Sequence, residues 1–455
     1  MKKKHFLSVL LFLAAIPGVE TAAMETFTLK QCFDYAVEHN RSLQKDKLGL
    51  ETAAQSKREL IGSLLPQINA SAGFTYNIDK PLVTMPNFIS PMMGSMAPAG
   101  MPDYIAMTMS LDMSANWGAS ITQQIINFSL FNALKVTQAT SEMAAIGVEA
   151  GMSDIIAQTA TFYYNVQVLQ YAATQFDESI ALMDTTLNMM QVNREIGLVR
   201  QIDVDRITVA RTNLETQKSS MLQALEVQKN LLKLQMGYPM TEEIGIPEID
   251  IDRMEQQIKD AISPVFDVTA LPAYRILEQQ KNLASLQYKS AVYETLPALV
   301  LAGNYSMNYT GNDFSGDSYH SFPVSMVSLN LKFPVFTGMS KNAKINKAKI
   351  EIMKADNDRY MLEQSLTMAH SNARMQLEQQ MRTIESQRRN KDLAQEVFNV
   401  TEFNFGEGIS SLSDVLNASS SLIEAQMNYV NALTNCMSAY IELKKADGSI
   451  GEINQ

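Results

Sequence analysis

Residues 404–448 read NFGEGISSLSDVLNASSSLIEAQMNYVNALTNCMSAYIELKKADG, and residues 193–237 read NREIGLVRQIDVDRITVARTNLETQKSSMLQALEVQKNLLKLQMG. Each stretch has a Gly and a short turn, an Asp-Val pair six residues after that Gly, and a long Pro-free run to another Gly. Gly197 to Gly237 and Gly408 to Gly448 are both 40 positions apart. A fixed internal spacing decides a fold ahead of any local propensity. The chain reads as one unit present twice.

The duplication extends outward. Leu64-Leu65-Pro66-Gln67-Ile68 is answered by Thr295-Leu296-Pro297-Ala298-Leu299, and residues 121–133 by residues 331–343. The offset is 231 at the prolines, 210 at the second segment and 211 at the glycines, so the first copy carries about 21 extra residues. Repeat one covers about 27–240 and repeat two about 268–448.

At the start, Lys2, Lys3 and Lys4 precede an apolar run from Phe6 to Ile16 and a small-residue ending at Thr21-Ala22-Ala23. This is the pattern of a secretory signal peptide over residues 1–23, followed by a single domain over 24–455. The apolar run is too short to span a bilayer, and no later segment offers a helical span. The chain has net charge −11, which argues against a nucleic-acid partner. Two cysteines are too few for a disulfide scaffold. Cys436 falls on an apolar seam and reads as a buried thiol, with a Cys32–Cys436 bridge as the alternative.

Thr28 followed by Gln31 is a capping box that opens a helix running to about Gly62. Beyond Pro66, Ile68, Ala70, Ala72, Phe74, Tyr76 and Ile78 alternate with polar and small residues, the mark of a strand. Met113 to Thr122 and Leu299 to Asn308 alternate likewise, and Phe322 to Phe333 less cleanly. Four strands of roughly 10–12 residues have the length that a tilted membrane strand needs. A small soluble sheet packed on helices explains the alternation equally well. The Pro- and Met-rich segment between Asp79 and Leu111 holds the extra length and reads as a long loop. Its methionines are either a flexible apolar cover or soft ligands for copper(I).

The longest elements follow the second strand of each copy. From about Asn132 to Glu195 no Pro occurs, and Phe162, Val166, Leu169, Ala173, Phe176, Ile180, Met183, Leu187 and Met190 fall at steps of 4 and 3. This is a heptad seam that wants a partner helix. Residues 340–404 match it. The return helix after Gly408 keeps its own seam through Val415, Ser419, Leu422, Gln426, Tyr429, Leu433, Cys436, Tyr440 and Leu443. The fold class is mainly α with transmembrane β, a duplicated helix-strand-strand-long helix-helix unit. Four strands cannot close a barrel and an open edge does not survive in lipid. Strands that enter a membrane must therefore be pooled; three chains supply twelve.

Over almost all of its mature length the chain resembles the TolC-type outer-membrane efflux ducts. FTLKQCFDYAVEHNRSLQ is similar to that family's opening helix, SLLPQINASAGF to its entry into the first strand, and ITQQIINFSLFNAL to its strand-to-helix junction. GLVRQIDV and GISSLSDVL resemble its two periplasmic tip turns. The resemblance implies a homotrimer with an outer-membrane β-barrel and a periplasmic α-barrel. It implies a passive conduit for efflux or secretion, gated at the helix tips and opened by a periplasmic adaptor joined to an inner-membrane pump. Adaptor docking falls at Gly197, Leu198 and Val199 and at Gly408, Ile409 and Ser410. The acidic ring of the constriction maps to Asp414, while the second ring carboxylate is replaced by Asn417. The tip Asp of the first copy maps to Asp203, the aromatic that closes on it to Phe405, which lacks a hydroxyl, and the latch Arg to Ser410. Asp414 also reads as a carboxylate at a helix N-terminus held by the dipole, as does Asp203.

A different class of function is a periplasmic coiled-coil adaptor, which has one helical hairpin where this chain has two. An enzyme is least supported: the four His are scattered without metal spacing, and no phosphate loop or nucleophile elbow occurs. No cofactor is expected.

Overall fold

A computed structural model describes residues 25–96, 100–108, 110–260, 266–312 and 319–454. The signal-peptide segment lies outside the described residues. The protein is mostly helical, and its contacts divide it into two compact units.

The first unit comprises residues up to 44, 151–268 and from 366 onward. It opens with β1 (Glu25–Thr26) and α1 (Leu29–His39). Thr28 caps α1 as expected: its backbone N–H donates to Gln31 Oε1 at 2.8 Å, and Gln31 N–H donates to the Thr28 hydroxyl at 3.4 Å. The expected single helix to Gly62 is instead broken at Asn40, and α2 (Arg41–Leu64) starts afresh. The reason is local. Asn40 takes extended backbone, and its Oδ1 accepts from the N–H groups of Ser42 and Leu43 at 2.9 and 3.1 Å, so it N-caps α2. Its Nδ2 donates to the Gln235 carbonyl at 2.6 Å.

After α2 come β2 (Gln67–Tyr76), β3 (Leu82–Pro86), the short α3 (Ile89–Met93), β4 (Tyr104–Thr108), β5 (Met113–Ile126) and the long α4 (Phe128–Glu195). The segment after Asp79 is not a plain loop. β3 and β4 form an antiparallel ribbon, from Leu82 opposite Thr108 to Pro86 opposite Tyr104. Asn77 ties its base, its Nδ2 donating to the Leu111 carbonyl and its N–H to the Asp112 carbonyl, both at 2.8 Å. Proline and methionine masked two short runs of β-forming residues.

The chain continues through α5 (Gln201–Met236), β6 (Ile244–Gly245), α6 (Ile251–Asp260), α7 (Pro272–Tyr293), β7 (Ala298–Gly311), β8 (Tyr319–Lys332), α8 (Ser340–Gly406) and α9 (Leu412–Ala446). Sequence reading left residues 241–267 unassigned; there β6 pairs in parallel with β1, and Asp250 Oδ1 caps α6 by accepting from Arg253 N–H at 3.0 Å. Met254 and Ile258 of α6 are buried.

The second unit, residues 45–150 and 269–365, holds the main sheet. Its strands run antiparallel in the order β2-β5-β7-β8, so the two predicted strand pairs join into one sheet. Register aligns the alternation across it: Ile68 opposes Ile121, which opposes Gly303, which opposes Val327. Ala72 likewise meets Trp117, and Trp117 meets Met307. Period-2 patterns therefore sum to one apolar face. That face is open in the single chain, with Ile68 71% and Val327 80% exposed. No helix among the described residues is long and apolar enough to cross a membrane.

The buried core of the first unit is the helical seam. Every predicted seam residue of α9 is buried, from Val415 and Leu433 at 0% to Ser419 at 6%. On α4, Val166, Ala173, Phe176, Met183 and Met190 are buried, and the other seam positions are half-buried. The polar seam member Gln426 is matched: Ser179 Oγ donates to its Oε1 at 3.1 Å. A buried amide is tolerated only with such a partner. Cys32 and Cys436 are free, buried thiols rather than a bridge. Loss of hydration on burial pushes both up to about 12.

The Asn40 joint closes against the end of α5, where Gly237 has φ 75°. A Cβ there would lie 2.7 Å from the His39 carbonyl oxygen. Gly237→Ala therefore combines left-handed strain with a clash and lowers the unfolding midpoint followed by circular dichroism. Asn40→Ala removes three hydrogen bonds and costs roughly 2 kcal/mol. A midpoint unchanged in both variants contradicts the role of this joint.

Candidate gate and docking site at the helix turns

Two tight turns reverse the long helices, α4 into α5 and α8 into α9. Both close by the same local chemistry. Gly197 has φ 80° and Gly408 φ 77°, a backbone region that only glycine enters without strain. The Gly197 N–H donates to the Arg194 carbonyl at 2.9 Å and the Leu198 N–H to the Asn193 carbonyl at 2.8 Å. Gly408 repeats the bond to Phe405 at 3.0 Å, and Ile409 the bond to Asn404 at 2.8 Å. This paired pattern is the Schellman closure, which satisfies the last carbonyls of a helix. The residue after each glycine then points outward: Leu198 is 75% exposed and Ile409 76%. Val199 is partly buried against the apolar cluster, and Ser410 is partly buried.

The two carboxylates start the return helices at equivalent positions. Ser411 caps α9 and Asp414 is its third residue. Asp414 Oδ2 accepts from the Ser411 N–H at 2.9 Å and hydroxyl at 2.6 Å, while the Asp414 N–H donates to Ser411 Oγ at 3.3 Å. The Ser411 hydroxyl first, and its backbone N–H second, hold the Asp414 carboxyl below its usual range. The side chain is exposed at the surface. Asn417, one turn further along, is also exposed.

At the other turn the N-cap is Arg200, whose side chain caps nothing. Its guanidinium grips Asp203 instead, with Nε 3.0 Å from Oδ2 and the second nitrogen 3.3 Å from Oδ1. Arg206 adds a longer contact at 3.8 Å. Asp203 is thus paired with two guanidinium groups from its own helix start, whereas Asp414 rests on hydroxyl and amide donors. What sequence reasoning passed over was the pairing of Arg200 with Asp203 and the capping side chain of Ser411. S-x-x-D ahead of an apolar run is the signal that reveals the second of them.

Below the turns the four helix ends share an apolar core. Met190, Val204, Ile207 and Leu412 are buried together, with Val199 and Phe405 packed against them. Phe405 also packs on Phe398, Val415, Ala418 and Leu422. The expected aromatic is therefore a wedge between two clusters, and the structure brings it together with both turns. Phe403 at 68% and Ile196 at 66% exposure extend the outward apolar surface beyond the predicted docking residues. The arrangement can recognise an apolar partner and present negative charge. No group of three His, Cys, Asp or Glu placed to hold a metal ion occurs among the described residues.

The sequence profile of the family described as outer membrane efflux protein matches residues 272–449. Outer membrane protein TolC of Escherichia coli (strain K12) is 21% identical over 93% of this chain and 83% of its own length. The TolC protein of Vibrio cholerae is 22% identical over 97% and 95%. Among solved structures, the CmeC outer membrane channel of Campylobacter jejuni superposes with a TM-score of 0.70 at 14% identity, covering 98% of this chain and 94% of that one. The last likeness is one of fold. The adaptor alternative is not favoured by any of them. Residues 272–449 thus match the outer membrane efflux protein family, and over nearly its whole length the chain is similar to TolC-type channels, transport conduits of the outer membrane that extend into the periplasm.

Proposed function

We propose that the chain is one third of a homotrimeric outer-membrane channel, a passive conduit that works with a periplasmic adaptor and, through it, an inner-membrane pump or secretion exporter. One observation carries the reading: β2 and β8 each have a single strand neighbour in a four-stranded sheet. In lipid such edges are untenable, so another copy must supply the missing neighbour. Strands of 10 and 14 residues suit a tilted crossing. Three copies pool twelve strands, a closed barrel with an open lumen.

Further support comes from the helices. α4 and α8 have 68 and 67 residues, and α5 and α9 have 36 and 35, as a duplicated unit requires. α5 leaves Ile202, Val209, Val227 and Leu234 exposed, and α8 leaves Leu393, Val397, Val400 and Phe403 exposed. Apolar stripes at these spacings fit helix partners from neighbouring copies, which would complete a periplasmic α-barrel. In this reading residues 24–455 form one duct domain and residues 1–23 are removed on export.

The turns would then form the constriction. Three Asp414 carboxylates gathered at one axis would concentrate cations. Asn417 supplies no second charge, Asp203 is held by Arg200, and Phe405 braces the turn from beneath. Leu198, Val199, Ile409 and Ser410, on turns set by Gly197 and Gly408, would receive the adaptor. With no latch Arg at Ser410, the Arg200–Asp203 pair is the closing contact available to the first turn.

Planar-bilayer conductance tests this reading. Asp414→Ala reduces the cation preference of the channel several-fold; unchanged selectivity removes Asp414 from the pore. The pH dependence has a definite sign. Hydrogen bonds from Ser411 lower the Asp414 pKa, so its charge, and any stability tied to it, persists above the depressed value and is lost as pH falls through it. Ser411→Ala removes the largest of those bonds, so the acid loss of cation preference moves to higher pH. A reversal potential that titrates identically in both proteins contradicts the assignment.

A further inference from the structure

The junction between β8 and α8 is built unlike its surroundings. Between Lys332 and Ser340 runs Phe333-Pro334-Val335-Phe336-Thr337-Gly338-Met339, with Val335 86%, Phe336 82% and Met339 67% exposed. Gly338 and Met339 have φ 61° and 65°, and Met339 is the one non-glycine residue with positive φ among the described residues. Side-chain-bearing residues avoid this region. Here it is held by the Ser340 N–H donating to the Thr337 carbonyl at 3.2 Å and the Ala343 N–H to the Met339 carbonyl at 3.0 Å. The strained turn stops the strand, thrusts a Val-Phe tip outward and starts a helix at once.

That helix begins with a basic run: Lys341, Lys344, Lys347 and Lys349. The three other strand–helix junctions lie at the same end of the sheet and contribute Lys57, Arg58, Lys135 and Lys289 against Glu59 and Glu294. Residues 54–66, 127–138, 283–297 and 333–349 together hold eight Lys or Arg against two carboxylates, in a chain of net charge −11. Among the described residues, the opposite end of the sheet carries Asp79, Asp103 and Asp112 against Lys80. Charge is therefore sorted across the sheet.

Not all of the basic groups are engaged within the chain. Lys344 Nζ lies 2.5 and 2.7 Å from the Glu294 carboxylate oxygens, and Lys341 Nζ donates to the Glu294 carbonyl. Lys347 and Lys349 are exposed. Neither has an ion-pair partner among the described residues. An apolar tip followed within three helical turns by exposed lysines is the pattern of an interfacial anchor on an anionic surface. A rise of about 1.5 Å per residue keeps these lysines within roughly 15 Å of the turn, and their stems can snorkel back toward it.

We propose that the β8–α8 junction docks anionic phospholipid. Val335 and Phe336 enter the headgroup–acyl boundary of the periplasm-facing leaflet, and Lys347 and Lys349, backed by Lys341 and Lys344, bind the phosphates of negatively charged glycerophospholipids. The inference rests on the outer-membrane location of the sheet and on neither the gate nor the docking turns.

The test uses the full chain reconstituted with equal phosphatidylglycerol and phosphatidylcholine, with retained lipid counted by native mass spectrometry. Phosphatidylglycerol is retained roughly five-fold over phosphatidylcholine at about 0.1 M salt, and the preference shrinks at about 0.5 M. Lys347→Gln with Lys349→Gln brings the ratio close to one, and the double Arg substitution at the same positions preserves it. A control with the same charge change, Lys259→Gln with Lys391→Gln, leaves the preference intact. Val335→Ser with Phe336→Ser lowers retention of both lipids without changing their ratio. Equal retention by the unaltered protein, or a ratio that survives the double Gln substitution, overturns the proposal. A protein that reconstitutes into no bilayer overturns it too, and does so by failing the outer-membrane placement on which it rests.

Discussion

An unsatisfied sheet edge is the constraint on which this molecule depends. β2 and β8 border a four-stranded sheet whose apolar face is open, and each has one neighbour. In water an exposed edge of this kind invites aggregation; in lipid its unpaired amides cost several kcal/mol apiece. Among the described residues the chain has no further long strand to offer. The alternation across Ile68, Ile121, Gly303 and Val327 shows that the register places every apolar set on the same side. A one-residue slip in any pair would turn that set to the polar side, so register here is strongly specified. The proposed assembly answers both requirements at once, covering the apolar face with lipid and closing the edges with neighbouring copies.

The helices meet the same problem by a different means. Heptad spacing on α4 and α9 buries one stripe of each within the chain, and the polar stripe member Gln426 accepts a hydrogen bond from Ser179, beside the α4 stripe. Stripes on the far faces of α5 and α8 remain exposed. A helix with two apolar stripes has one partner too few in a single chain, which is the helical counterpart of a sheet with open edges. The turns at Gly197 and Gly408 keep that pattern in phase, because left-handed closure reverses the chain without spending a seam position.

Most of this was legible in the sequence where the signal was periodic. The Gly-to-Gly spacing, the Pro-free runs and the alternating strands led to α4, α5, α8, α9 and the four strands within a few residues. The joint at Asn40 was not legible. Its neighbours Glu38, His39, Arg41 and Ser42 have no helix-breaking character, and the break depends on the distant Gln235 carbonyl and on the close approach of Gly237. The ribbon of Leu82–Pro86 and Tyr104–Thr108 was hidden by the methionines and prolines between its strands. At the turns, glycines and carboxylates could be placed by position. The Ser411 cap has a readable S-x-x-D signal, whereas the Arg200–Asp203 pair occupies the equivalent position with opposite chemistry and has none.

The most direct measurement is the mass of the protein solubilised in detergent from fractionated membranes. The account predicts outer-membrane fractionation and a particle of three chains after correction for bound detergent. A monomer recovered from the periplasm contradicts it, since the four strands would then form an ordinary soluble sheet whose edges need no partner.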